Sequence, residues 1–149
     1  MPRQINSLGL QLLKDAEGCK LKAYPDPGTG GDPWTIGWGS TGPDIKEGVV
    51  WTQEQADKRL AERLQQECLA VENFTKGVQL NDNQFSALVC FAYNVGSWRS
   101  STLFKHVLKG EFAPAADEFH KWCHSGTKVL PGLVNRRQAE RELFEKPVT

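Results

Sequence analysis

Residues 17–39 read EGCKLKAYPDPGTGGDPWTIGWG, and this stretch decides the fold. From Tyr24 to Gly42 the density of proline, glycine, threonine and tryptophan excludes a helix. The same composition suits short antiparallel strands joined by tight turns. The stretch therefore predicts a small β-hairpin lobe near the start of the chain.

A helix is predicted immediately before this stretch. Apolar residues at helical spacing follow Asn6 and Ser7, which are good N-caps, and Gly18 is a natural stop. Glu17 therefore belongs to the last turn of this helix.

The rest of the chain has helical patterns. Thr52 with Gln55 and Asn81 with Gln84 form capping-box patterns, which open a long connecting helix and a central core helix. Shorter helices are predicted at about 101–109, from Pro114 to about Trp122, and at about 131–145. The predicted fold class is α+β, mostly helical, with a small N-terminal antiparallel β-hairpin lobe.

The length of the chain limits its organisation. With 149 residues, 39% of them apolar, it can bury one core and has little room for a second domain. We expect one domain over residues 1–149, with the β lobe at about 18–50. The helical lobe is expected at about 52–146, together with the N-terminal helix.

Charge and hydropathy argue against nucleic acids and membranes as partners of this protein. Basic and acidic residues number 18 each, so no net charge favours nucleic acid or an anionic membrane surface. No segment approaches the roughly 20 apolar residues of a membrane span, and the N-terminus lacks a signal-peptide core. We therefore expect a protein made in the cytoplasm, with no nucleic acid partner and no stable membrane insertion. Four cysteines without metal-ligand spacing predict reduced thiols, no metal and no cofactor.

Two carboxylates within residues 17–39 could serve as an acid and a base. The carbonyl end of a helix and nearby aromatic rings disfavour the ionised form of Glu17, which suits a proton donor. Asp26 lies among polar turns, which keep it solvated and charged. One acid and one base are what cleavage of a glycosidic bond requires. For each residue alone a structural reading stays open: a frayed helix end for Glu17 and an Asx-turn for Asp26.

The order of these residues resembles the active-site segment of the phage-type lysozymes, the endolysins of glycoside hydrolase family twenty-four. Glu17-Gly18, Tyr24, Asp26 and residues 35–39 (TIGWG) carry the resemblance. It continues through residues 91–96 (FAYNVG) and 132–144 (GLVNRRQAERELF), so it covers nearly the whole chain. The resemblance implies a lysozyme-like fold and hydrolysis of the β-1,4 bond between N-acetylmuramic acid and N-acetylglucosamine in bacterial peptidoglycan.

The resemblance also implies roles for particular residues. Glu17 matches the general acid of the family, while Asp26 and Thr35 match the carboxylate and hydroxyl that together position the attacking water. Similarity to the family favours inversion at the sugar carbon. Ser40 stands where many members carry a histidine, and its hydroxyl is expected to cap a turn.

The carbohydrate cleft is expected to use flat aromatic surfaces around the hairpin. Tyr24, Trp34 and Trp38 are the candidates for substrate binding. Packing within the small lobe is the alternative for each of them, since such a lobe needs aromatic filler.

Two polar candidates for substrate binding lie in the helical part. Asn94 resembles the family's polar side chain at the far wall of the cleft, and a helix C-cap is its alternative. Arg136 matches the position whose guanidinium reaches toward the catalytic glutamate, and a solvated helix charge is its alternative. Arg136, Arg137 and Arg141 together form an expected basic cluster for the anionic cell wall.

The implied biology is that of a monomeric endolysin. It waits in the host cytoplasm until a holin opens the inner membrane, and then reaches the periplasm and the peptidoglycan of the cell wall. Two rival functions stay open: a lytic transglycosylase, which leaves an anhydro sugar at the same bond, and a peptidoglycan-binding module without catalysis.

Overall fold

The computed structural model describes residues 3–26, 29–125 and 127–148. Its helices and strands are α1 (Ser7–Glu17), β1 (Lys20–Tyr24), β2 (Thr35–Gly37), α2 (Gln53–Phe74), α3 (Asp82–Asn94), α4 (Thr102–Leu108), α5 (Phe112–Glu118), β3 (His124–Ser125), β4 (Lys128–Val129) and α6 (Pro131–Glu145). This arrangement confirms the predicted α+β class, in which helices dominate. None of the helices in the described part of the chain has both the length and the apolar content needed to cross a membrane.

Both predicted capping boxes are formed. The Asn81 side chain accepts a hydrogen bond from the Gln84 N–H at 2.7 Å, and the Gln84 side chain accepts one from the Asn81 N–H at 2.9 Å. Thr52 and Gln55 make the same reciprocal pair at 3.1 and 2.8 Å. Each box satisfies backbone donors that have no partner inside the helix, so α2 and α3 begin directly after their caps.

The structure differs from the sequence-based prediction in three places. β1 begins at Lys20 and ends at Tyr24, although the strands were predicted only from Tyr24 onward. α5 is Phe112–Glu118, whereas a helix from Pro114 to about Trp122 was predicted. It begins before Pro114 because the first-turn N–H groups have no helical partner and proline is tolerated there. It ends earlier because residues Phe119–Lys121 form a 3-10 turn. The antiparallel pair of β3 and β4 was not predicted, since strands of two residues carry no periodic signal.

The chain divides into two compact units. One runs up to Ala16 and resumes at Gln66, and the other is Glu17–Gln65, so the boundary falls inside α2. In the first unit α3 is buried along nearly its whole length and packs against α6. The core of this unit is aromatic: the Phe91 ring makes edge-to-face contacts with Phe119 at 5.6 Å and with Trp122 at 5.7 Å.

The second unit is built on an antiparallel hairpin. β1 pairs with β2 so that Lys20 lies opposite Gly37 and Tyr24 lies opposite Thr35, with an irregularity in the register between the two pairs. Because residues directly opposite each other in an antiparallel pair point to the same face, the Tyr24 and Thr35 side chains share one face of the hairpin.

Residues 49–51 extend this hairpin along the other edge of β1. The Ala23 N–H donates to the Val49 carbonyl at 2.9 Å, and the Trp51 N–H donates to the Leu21 carbonyl at 2.8 Å. The small core beneath consists of buried Ala23, Ile36 and Ile45, against which Trp34, Val49 and Trp51 pack. The hairpin therefore has a folded support of its own within the second unit.

Candidate active site

Glu17 is the last residue of α1, and its half-buried carboxylate lies against the backbone of Gly39. A Cβ placed on Gly39 would lie 2.0 Å from Glu17 Oε2 and 2.9 Å from its Cδ. Gly39 also has φ +82°, a conformation that favours glycine. Position 39 therefore favours glycine for two reasons, its positive φ and the close approach of the Glu17 carboxyl group.

The turn that carries Gly39 is closed by backbone hydrogen bonds. The Ile36 N–H donates to the Ser40 carbonyl at 3.0 Å, and the Ser40 N–H donates to the Ile36 carbonyl at 2.8 Å. The Ser40 side chain is buried, and its hydroxyl makes no hydrogen bond to any described residue. The prediction that this hydroxyl caps a turn is therefore wrong, because the main chain alone closes it.

Tyr24 connects the acid to the hairpin. Burial raises the pKa of the Tyr24 phenol, and the negative charge of nearby Glu17 raises it further. Tyr24 lies opposite Thr35 in the β1–β2 pair. Within the second unit, Glu17 therefore lies close enough to Tyr24 to act on it electrostatically, and Tyr24 is paired with Thr35.

Asp26 lies two residues beyond the end of β1, in a tight turn. Its Oδ2 accepts the Thr29 N–H at 3.1 Å, and its carbonyl accepts the Gly30 N–H at 2.8 Å. The Asp26 N–H in turn donates to the Gly31 carbonyl at 2.9 Å. The side chain thus bonds the backbone three residues on and not two, so the turn predicted for Asp26 is present but is not an Asx-turn in the strict sense. Pro27 and Gly28 lie outside the described residues.

The aromatic candidates have different surroundings. Trp34 packs against the small core of Ala23, Ile36 and Ile45, as the packing alternative predicts. The Trp38 indole N–H donates to Asp57 at 2.8 Å, so α2 holds this ring in its orientation. Trp38 and Tyr24 are both half-buried, which leaves part of each ring accessible.

Arg136 is buried, and its alternative reading as a solvated charge is wrong. Its Nε donates to Glu140 Oε2 at 3.1 Å, and its Nη2 donates to the Cys90 carbonyl at 3.1 Å. Only 5% of its side chain is exposed. The predicted role of Arg136 beside the acid stays a prediction.

Asn94 is the last residue of α3, and Val95 is the C-cap, so the capping alternative for Asn94 is wrong. Arg137 Nη2 donates to the Asn94 Oδ1 at 2.6 Å. Of the two adjacent arginines, Arg137 thus contacts the Asn94 side chain, while Arg136 contacts the Cys90 carbonyl.

Sequence reasoning missed the roles of Arg137 and Glu140. Both are fully buried, with Arg137 Nε 3.0 Å from Glu140 Oε1, although this N–H is not aimed well enough for a hydrogen bond. The spacing of Glu140, three residues after Arg137 and four after Arg136, could have indicated the pairing. The expected surface cluster of basic residues is wrong, because Arg136 and Arg137 are buried and Arg141 pairs with Asp117.

The α+β fold and an acid held against a glycine-rich hairpin define a lysozyme-like protein. The family model described as phage lysozyme matches residues 14–140. The chain belongs to the phage lysozyme family, as the sequence motifs predicted.

Comparisons with individual proteins agree with this assignment. The endolysin of Bacillus phage PZA is 44% identical over 143 residues, which cover 95% of this chain and 55% of that protein. The chain thus spans about half the length of that relative. The endolysin of Acyrthosiphon pisum secondary endosymbiont phage 1 is 40% identical over 147 residues, or 95% of this chain and 97% of that one. The muramidase domain of SpmX from Asticaccaulis excentricus superposes with a TM-score of 0.82 at 32% identity, over 97% of this chain and all of that one.

Proposed function

We propose that the protein is a lysozyme-type endolysin that hydrolyses the β-1,4 bond between N-acetylmuramic acid and N-acetylglucosamine in bacterial peptidoglycan. The observation that carries this proposal is the close approach of the Glu17 carboxylate to Gly39, together with its electrostatic effect on Tyr24, which pairs with Thr35. Family membership and the relatives named endolysin support it.

Glu17 acts as the general acid and gives its proton to the leaving glycosidic oxygen as the bond to the sugar carbon breaks. The sugar then has oxocarbenium character. Asp26 and Thr35 orient a water molecule on the opposite face, and Asp26 takes the proton that this water loses. The products are two shorter glycan chains, one of which has a new reducing end.

Four further residues are proposed to bind substrate. Tyr24 and Trp38 offer partly accessible rings on which a sugar can stack. Asn94 and Arg136 are assigned to the same task because they match family positions. Trp34 contributes by supporting the hairpin, since it packs against the small core.

The test is an analysis of the products from purified peptidoglycan. The wild type is expected to release reducing muramyl ends, while Glu17→Gln, which cannot donate the proton, should release fewer by a factor of roughly 1,000 or more. Glu47→Gln is the matched control, because Glu47 is exposed in the same unit.

Other products would identify the rival functions. Anhydro-muramyl ends would assign the protein to the lytic transglycosylases. A wild type that sediments with the cell wall and releases no product would be a binding module. Either result would overturn the proposed hydrolysis.

The stereochemical outcome is proposed to be inversion. Since the bond cleaved is β, an inverting enzyme first produces the α anomer. Proton NMR of the fresh product distinguishes the two anomers before they equilibrate, and a β anomer would assign a retaining mechanism.

We also propose that the protein acts as a monomer and reaches the wall from the cytoplasm of the host through a holin. Expression in a host cell with and without a co-expressed holin tests this route, because rapid lysis should require both proteins. Lysis without the holin would contradict it. Sedimentation velocity measures the oligomeric state.

A further inference from the structure

A fully buried arginine holds the amide of Asn94. Arg137 has no exposed side-chain area, and its Nη2 lies 2.6 Å from Asn94 Oδ1. Its guanidinium also lies over the Phe91 ring at 5.1 Å and beside the buried Glu140 carboxylate. These contacts fix the guanidinium on several sides, so its position is set by the core and not by solvent.

This contact determines which way the Asn94 amide points. A guanidinium has only donors, so the Asn94 atom that it contacts must be the carbonyl oxygen. The NH2 group of the amide is therefore directed elsewhere, and it makes no hydrogen bond to a described residue. Asn94 is exposed, which leaves its two N–H donors accessible.

The accessible side of Asn94 lines a cavity of about 540 Å³. The other lining residues are Val95, Lys121, Trp122, His124, Leu130 and Leu133. Trp122 is half-buried and its ring packs edge-to-face on Phe91, the same ring that Arg137 covers. The cavity therefore combines a fixed aromatic surface with a fixed amide, and its size falls within the range of small-ligand sites.

We propose that Arg137 is a positioning residue that makes this cavity selective for a hydrogen-bond acceptor of the substrate. Arg137 holds the Asn94 carbonyl, and the Asn94 NH2 donates to a carbonyl or carboxylate oxygen of the peptidoglycan. This inference rests on the proposed function and adds that, at this cavity, the protein donates the hydrogen bond and the substrate accepts it. Peptidoglycan offers such oxygens in two places, the acetamido groups of its sugars and the stem peptides.

Asn94→Asp is the sharpest test, because it replaces the donor with an acceptor of the same shape. The aspartate still accepts the Arg137 N–H, so folding should be preserved, but its second oxygen repels an acceptor. We expect KM for intact peptidoglycan to rise roughly tenfold and kcat to change by less than about twofold. An unchanged thermal midpoint verifies the fold.

Arg137→Lys tests whether Arg137 acts through Asn94. Lysine keeps the buried positive charge but lacks the fork that reaches both Glu140 and Asn94. We expect KM to rise in the single variant, and the same change to add little in the Asn94→Asp background. Arg141→Lys is the control on the same helix, since Arg141 pairs with Asp117 and Glu145 at the surface and should leave KM unchanged.

Glycan strands from which an amidase has removed the peptides distinguish the two sources of the acceptor. A KM difference between wild type and Asn94→Asp that disappears on these strands places the acceptor in the stem peptide, and one that persists places it in the sugar. If the wild type produces reducing ends but Asn94→Asp has an unchanged KM on intact peptidoglycan, the inference is wrong while the proposed function stands. If the wild type produces none, the proposed function itself fails.

Discussion

At Gly39 the hairpin backbone closely approaches the Glu17 carboxylate. Gly39→Ala would place a methyl group 2.0 Å from Glu17 Oε2, so the carboxyl group must move. A displacement of about 1 Å in a catalytic group can cost roughly 100-fold, and we expect kcat to fall by at least about that factor. The rate of reducing-end release measures it.

Gly48→Ala is the matched control for this substitution. Gly48 has φ +90°, so alanine suffers similar backbone strain there, but its Cβ would meet no described atom within 4 Å. Both variants should lose similar stability, roughly 1 to 2 kcal/mol, and only Gly39→Ala should lose activity. Equal activity in the two variants would show that the Gly39 contact does not position the acid.

For single residues, the sequence indicates the chemistry of a side chain better than it indicates which neighbours the side chain will have. The residue types predict an acid at Glu17 and a base at Asp26, and the resemblance adds Thr35; the roles of all three stay predictions. The two readings of Trp34 and Trp38 could not be separated, because an indole that packs and one that binds sugar have the same local pattern. Neighbours distant in sequence set the surroundings of each ring, the small core for Trp34 and Asp57 for Trp38, and sugar binding by either ring stays a prediction.

At the scale of secondary-structure elements, α6 carries a buried ionic cluster. The Glu140 carboxylate contacts both Arg136 and Arg137, and its side chain has no exposed area. Glu140→Gln removes a negative charge next to two buried guanidinium groups, so we expect the free energy of unfolding to fall by about 3 kcal/mol or more. Urea denaturation measures this loss.

Glu142→Gln is the control on the same helix. Glu142 is exposed and accepts a hydrogen bond from Gln138, so its replacement should change stability by less than about 0.5 kcal/mol. A similarly small effect of Glu140→Gln would mean that the two arginines do not depend on this carboxylate.

Elements whose signals are local were predictable. The capping boxes of α2 and α3 act over four consecutive residues, and both formed as predicted. The start of α5 was not predictable from Pro114, since proline is tolerated at several positions of a first turn. Periodicity also could not predict which of Arg136 and Arg137 contacts Asn94. Neighbouring residues of a helix differ by about 100° in direction, and both of these side chains are buried.

For the whole molecule, the reactivity of the cysteine thiols indicates whether the chain is folded. All four thiols are free, with Cys19 and Cys123 partly exposed and Cys68 and Cys90 buried. Burial raises the pKa of the Cys68 and Cys90 thiols, so less of the reactive thiolate is present near pH 8. We expect a thiol reagent at this pH to modify Cys19 and Cys123 in the native protein, and the other two only in urea.

A variant with serine at both Cys19 and Cys123 makes this measurement cleaner. It should show almost no reaction in the native state and two reactive thiols after unfolding. Rapid native reaction of the remaining thiols would mean that the first unit opens far more often than its packing suggests.

From the sequence alone, the fold class and most of the helices were predictable, while the site residues stay predictions that rest on motifs and on the family resemblance. The fold class and the helices follow from composition, periodicity and capping, which act between residues close in the chain. Only the tertiary structure decided that Gly39 meets Glu17, and that Arg137 and not Arg136 holds Asn94. Such contacts join residues that are 22 and 43 positions apart, where packing of the surrounding core, and no local preference, sets the distance.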